Sequence, residues 1–114
     1  REVKLMELNI YEKNEIIKTY KSESYEIKFG VVEDIIELFD FDDLKKGNDI
    51  ELIKTVGKVI PKSLGTIKNL MKDIFEGLTD EELKNTTVNE LAQVIVEVIK
   101  YALNQISDGI NSKK

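Results

Sequence analysis

The sequence predicts an α+β fold: a small N-terminal antiparallel β-meander of about three strands, followed by a packed bundle of four to five helices. Three observations predict it. Residues 1–29 alternate apolar and polar side chains with period two, and from residue 30 the apolar spacing becomes helical. The 114 residues, 41% apolar and 34% charged, make one domain of a folded rather than disordered chain. The expected organisation is a single domain over 1–114. Its β-rich part covers 1–29, its helical part 30–107, and a frayed tail 108–114.

In the first strand Met6, Leu8 and Ile10 alternate with Glu7, Asn9 and Tyr11, and Glu12-Lys13-Asn14 is a short polar turn. Ile16, Lys18 and Tyr20 then alternate with Ile17 and Thr19, up to a turn at Lys21-Ser22-Glu23-Ser24. Tyr25, Ile27 and Phe29, alternating with Glu26 and Lys28, read as a third strand. Such a meander buries one face, and three short strands need something to cover it.

Gly30 reads as the break into a helix over Val31–Phe39, with Glu33 and Asp34 in its first turn. Asp40–Gly47 is a connector with room for one short turn. Asn48 with Glu51 resembles a capping box, and Ile50, Ile53, Val56 and Ile60 follow at helical spacing. Pro61 ends or kinks that helix. Leu64, Ile67, Leu70, Met71, Ile74 and Phe75 form the next stripe, and Gly77 stands where a left-handed C-cap is wanted. Thr79 with Glu82 and Thr87 with Glu90 are two further capping boxes, the second opening the longest helix. That helix should run to about Gln105 or Ile106.

The last helix has an over-wide apolar face. Val88, Leu91, Ala92, Ile95, Ile99, Ala102, Leu103 and Ile106 form its centre; Val94, Val98 and Tyr101 widen it on one side and Val96 on the other. At 100° per residue the arc is roughly 220°, about twice what one-sided packing requires. Two explanations stay open. The helix is central and packed on two sides, or it lends the flank Val94, Val98 and Tyr101 to a partner or a second copy.

Composition excludes much chemistry. Without Cys or His the chain has no thiolate nucleophile, no disulfide and no imidazole base or ligand. A net charge of −5, with Arg1 as the only arginine, argues against nucleic-acid binding. Asp40, Asp42 and Glu51 match positions 1, 3 and 12 of a calcium loop, but Leu44 and Lys45 occupy positions that need an oxygen ligand and a glycine. The carboxylate groups Glu33/Asp34/Glu37 and Asp80/Glu81/Glu82 read as helix-terminal and polar-face residues rather than a catalytic pair. Neither Lys46-Gly47 nor Gly57-Lys58 follows a strand as a phosphate loop would. The expectation is no enzyme, no cofactor and no metal. No apolar run approaches the ~18 residues of a membrane span, and there is no signal pattern. Arg1 at the first position reads as a processed or trimmed start.

Several stretches resemble the tail assembly chaperones of siphophages and prophages of Gram-positive bacteria. They are Met6–Glu12, Lys18-Thr19-Tyr20, Phe29–Ile36, and most of all Lys72–Leu83 followed by Val88-Asn89-Glu90-Leu91. The resemblance covers nearly the whole chain in order, through caps and strands. It implies a non-catalytic protein that binds the tape measure protein, keeps it soluble and helps recruit the major tail tube protein. It also implies residence in the bacterial host cytoplasm and absence from the mature virion. Such proteins often have a longer frameshifted form, with which the terminal Lys113-Lys114 is compatible. A different class, a small acidic inhibitor or DNA mimic of phage origin, should carry a carboxylate face with few lysines. Here lysines are spread through most helices.

Overall fold

A computed structural model describes residues 5–23, 28–40, 42, 44 and 48–111, with side chains as far as Asn104. Strands β1 (Leu5–Glu12) and β2 (Glu15–Glu23) form a two-stranded antiparallel sheet. Five helices follow among the described residues: α1 (Phe29–Leu38), α2 (Asp49–Val59), α3 (Leu64–Ile74), α4 (Asp80–Leu83) and α5 (Val88–Asn111). The α+β class stands, but among the described residues the sheet has two strands where about three were expected.

Lys13 and Asn14 both take positive φ, 53° and 69°, between the closing pair Glu12 and Glu15. This is the two-residue primed turn whose twist matches that of the strands it joins. Ile10 pairs with Lys18 but Tyr11 pairs with Ile16, so Ile17 is the extra residue of a bulge. The alternation read across Ile16 and Ile17 loses its phase there, and both side chains are exposed. Met6, Leu8 and Ile10 point into the core as their spacing requires.

The third strand is corrected at its end. Tyr25 and Ile27 lie outside the described residues, whereas Phe29 opens α1 and is 72% exposed. The Lys28 carbonyl accepts hydrogen bonds from the Val31 and Val32 amides, so the helix begins before Gly30 instead of after it. Glu33 and Asp34 consequently fall beyond the first turn. In the connector, the Leu44 amide bonds the Asp40 carbonyl and Leu44 is buried.

Asn48 Oδ1 accepts from the Glu51 amide at 2.9 Å and caps α2. Of the expected stripe, Val56 and Ile60 are buried while Ile50 and Ile53 are exposed, and Leu52 takes the core position one turn before Val56. Pro61 ends α2 in a 3-10 turn, Ile60–Lys62. In α3, Ile67, Leu70, Met71 and Ile74 are buried and Leu64 is exposed. Gly77, φ +91°, lies in a turn closed by the Leu78 amide on the Phe75 carbonyl. Thr79 and Glu82 form the expected capping box on α4.

The backbone of α5 is helical to Asn111, past the expected end and through the first part of the expected tail; residues 112–114 lie outside the described ones. β1, α1 and α2 all pack against this helix. That explains its wide apolar arc, for a helix packed by three elements buries Val94, Val96 and Val98 alike. Val88, expected at the centre of the stripe, is exposed at the helix start.

A candidate partner-binding groove

The flank singled out from the sequence is placed first. Val94 and Val98 are buried in the chain's own core, and Tyr101 is half-buried. As a free docking surface the flank is therefore corrected. Of its three residues only Val94 reaches the groove described below, as part of its floor.

Two tyrosine–carboxylate pairs pin the hairpin to the helices. The Tyr20 hydroxyl donates to Glu82 Oε1 at 2.5 Å and lies 3.2 Å from the Gly77 carbonyl oxygen. Lys18 Nζ reaches Glu82 Oε2 at 3.1 Å and stands 4.5 Å from the centre of the Tyr20 ring. Glu82 also accepts from the Thr79 amide. These donors, the Tyr20 hydroxyl foremost, lower its carboxyl to a pKa of about 2. The second pair uses β1: the Tyr11 hydroxyl donates to Glu90 Oε2, which raises the Tyr11 pKa.

Glu90 departs from the expected capping box. Its amide does bond the Thr87 hydroxyl oxygen at 3.1 Å. Its side chain, however, turns to β1, where Oε1 accepts from the Asn9 amide at 3.1 Å. The next outward amide, that of Tyr11, bonds the Asn85 carbonyl at 2.8 Å. Alternate residues of an antiparallel strand present their backbone groups to the same edge. Leu5 and Glu7 therefore present theirs to this edge too, and among the described residues no acceptor meets the Glu7 amide.

Beside this open stretch of β1 lies a groove of about 540 Å³ between β1, α2 and α5. Leu5, Met6, Ile53, Val94 and Val96 supply its apolar wall, with Leu5 47% and Ile53 39% exposed. Glu7, Asp49, Glu90 and Glu97 line it with carboxylates. Lys100 joins Asp49 at 3.1 Å and approaches Glu97 at 4.0 Å, and the bond to Asp49 raises its pKa. The groove brings together outward backbone groups of β1, carboxylates and an apolar wall.

A second hollow of about 530 Å³ lies between the hairpin turn and the α4–α5 connection. Thr86, in its lining, has a hydroxyl buried without a hydrogen-bond partner among the described residues. No group of three or more Asp or Glu among the described residues could hold a metal ion, Asp40, Asp42 and Glu51 included. None of the described helices is long and apolar enough to cross a membrane.

Set against known protein families, curated protein sequences and solved structures, the chain finds no match. Sequence reasoning missed the groove because its parts are far apart in the chain. The available signal was the mismatch in α2, where Ile50 and Ile53 are not needed by the stripe Leu52, Val56 and Ile60.

Proposed function

We propose that this chain is a non-catalytic protein-binding domain of the tail assembly chaperone kind. In this reading it binds a tape measure protein during phage tail assembly, keeps it soluble, and helps recruit tail tube subunits around it. It works in the host cytoplasm and leaves before the virion is complete. The sequence resemblance suggests the family. The observation that carries a binding role is the groove, where exposed Leu5 and Ile53 adjoin a stretch of β1 whose Glu7 amide meets no acceptor among the described residues. Phe29 and Ile36 add exposed apolar surface two turns apart on α1, which suits a protein that shields apolar segments.

The test is co-expression with the tape measure protein encoded in the same genome. The expected result is a client that moves into the soluble fraction and co-purifies with this chain. A client equally insoluble with and without the chain overturns the proposal.

A further inference from the structure

Charge is unevenly spread along the chain. Residues 52–72, which span most of α2, the 3-10 turn and most of α3, hold five lysines and no carboxylate. The rest of the chain holds all 22 acidic residues against the other 12 of its 17 basic ones. On α3, Lys72 bonds Asp80 at 2.6 Å and, with Lys68 and Lys84 acting at longer range, lowers its pKa. Lys54, Lys58 and Lys62 are different. All three are exposed, and none has a hydrogen bond or ion pair among the described residues. Lys54 and Lys58 stand two residues after the buried Leu52 and Val56, about 200° around the helix, and so face away from the core. Lys62 repeats the four-residue spacing on the 3-10 turn.

Like charges four residues apart destabilise a helix. The dipole of α2 offsets this at Lys58, in the last turn, but not at Lys54, in the middle. The carboxylates of α2 itself leave the row unpaired: Asp49 is held by Lys100 of α5, and Glu51 makes no ion pair among the described residues. An apolar strip runs beside the lysines. Ile50 is 64% exposed one turn before Lys54, and Ile53 also lines the groove beside β1. Gly57 follows at the same helical spacing with nothing near the place where a Cβ would go, which leaves the strip flat.

We propose that this outer face of α2 docks an acidic, amphipathic helical segment of another protein. Its carboxylates meet Lys54, Lys58 and Lys62, and its apolar residues pack on Ile50 and Ile53 where Gly57 lets the two helices come close. Recognition of an amphipathic helix uses apolar anchors at such i, i+3 and i+7 positions, and the lysine row selects an acidic occupant over a basic one. The exposed isoleucines favour a polypeptide over nucleic acid, which would meet this face with phosphates. A net charge of −5 also repels the whole chain from an extended polyanion, whereas screening limits a short peptide to charges within about 10 Å. The inference rests on the protein-binding reading but on no particular client.

The probe is an acetylated, amidated peptide of four helical turns, with Leu along one face and Glu and Ala elsewhere. Its controls are the same peptide with Lys for Glu and a scramble without the Leu face. Binding is followed by amide shift mapping and titration of the full chain. The Glu peptide should bind saturably, shift the Lys54, Gly57 and Lys58 amides, and weaken as salt is added. Both controls should bind at least tenfold more weakly. Lys54→Gln and Lys58→Gln together should also cost at least tenfold, and Ile50→Ser should weaken binding without lowering its salt dependence. Shifts confined to another surface, or equal binding of the Glu and Lys peptides to the unaltered chain, overturns the proposal. So does tighter binding of oligothymidylate or phosphatidylserine vesicles to this face, or a chain that dimerises through it in sedimentation. Co-expression decides the chaperone reading separately. A tape measure client left insoluble while the Glu peptide binds as described overturns that reading alone. A client made soluble by a chain that ignores the Glu peptide overturns the α2 proposal alone.

Discussion

At the scale of single residues, Glu82 and Asp34 respond to pH in opposite senses. Glu82 collects donors from Tyr20, Lys18 and Thr79, and its pKa falls to about 2 from an ordinary 4.5. A lowered carboxyl contributes stability that is complete above its unfolded pKa and is lost as pH falls toward its folded one. Glu82→Gln should therefore lower Tm at pH 7 and leave it little changed at pH 2. Thermal melts of both proteins from pH 7 to 2 check this, the two curves drawing together as pH falls from 4.5 to about 2. Asp34 has its pKa raised, first by burial and then by Asp73, Glu37 and Glu33. A raised carboxyl opposes folding once it ionises, so Asp34→Asn should raise Tm at pH 7 and make little difference at pH 3. The effect is small for such a site, up to about 0.5 kcal/mol. The same scale decides the fate of the α5 flank. Val94→Lys places a charge in the core and should abolish cooperative melting, whereas Tyr101→Lys, at a half-buried site, should lower Tm without unfolding the chain. Ile95→Ala and Ile99→Ala should each cost about 2–5 kcal/mol in denaturant unfolding.

At the scale of elements, two glycines separate helix propensity from turn geometry. Gly57 lies inside α2 with nothing near the place where a Cβ would go. Gly57→Ala should therefore stabilise by about 0.5–1 kcal/mol through backbone entropy and helix propensity. Gly77 has equal room, but its φ of +91° is one that L-residues avoid. Gly77→Ala should cost about 1–2 kcal/mol and loosen the turn that delivers Thr79 to the α4 cap. Urea midpoints for the pair should move in opposite directions, although neither substitution makes a clash.

At the scale of the whole molecule, the hairpin and the helices share one apolar core and are joined at its margin by polar pins. Met6, Leu8 and Ile10 of β1 belong to the same cluster as Phe75, Ile95 and Ile99. Glu90 serves both parts, since it belongs to α5 and satisfies Asn9 and Tyr11 of β1. Glu90→Ala should cost about 1–3 kcal/mol by leaving those donors without their acceptor. Hydrogen exchange localises the effect: the Asn9 amide should lose protection while amides in the middle of α3 keep theirs.

The elements that were legible in the sequence depend on neighbours one turn or one pair away. The alternation of Met6, Leu8 and Ile10, the Asn48 cap, the Thr79–Glu82 box, the stop at Pro61 and the positive φ of Gly77 are all decided within about four residues. Sequence by itself therefore determined the α+β class and most boundaries after Gly47. Tertiary structure decided which surface each element faces. Ile50 and Ile53 extend the stripe of Val56 and Ile60 as well as Leu52 does, and packing against α5 chose Leu52. The α5 flank could be core or interface until β1, α1 and α2 were placed around it. Glu90 could close its own helix cap or reach across to a strand. Its partners Asn9 and Tyr11 stand 81 and 79 residues away in sequence. Periodicity records how side chains recur along an element but not what lies opposite them, so the groove exists only once the chain is folded.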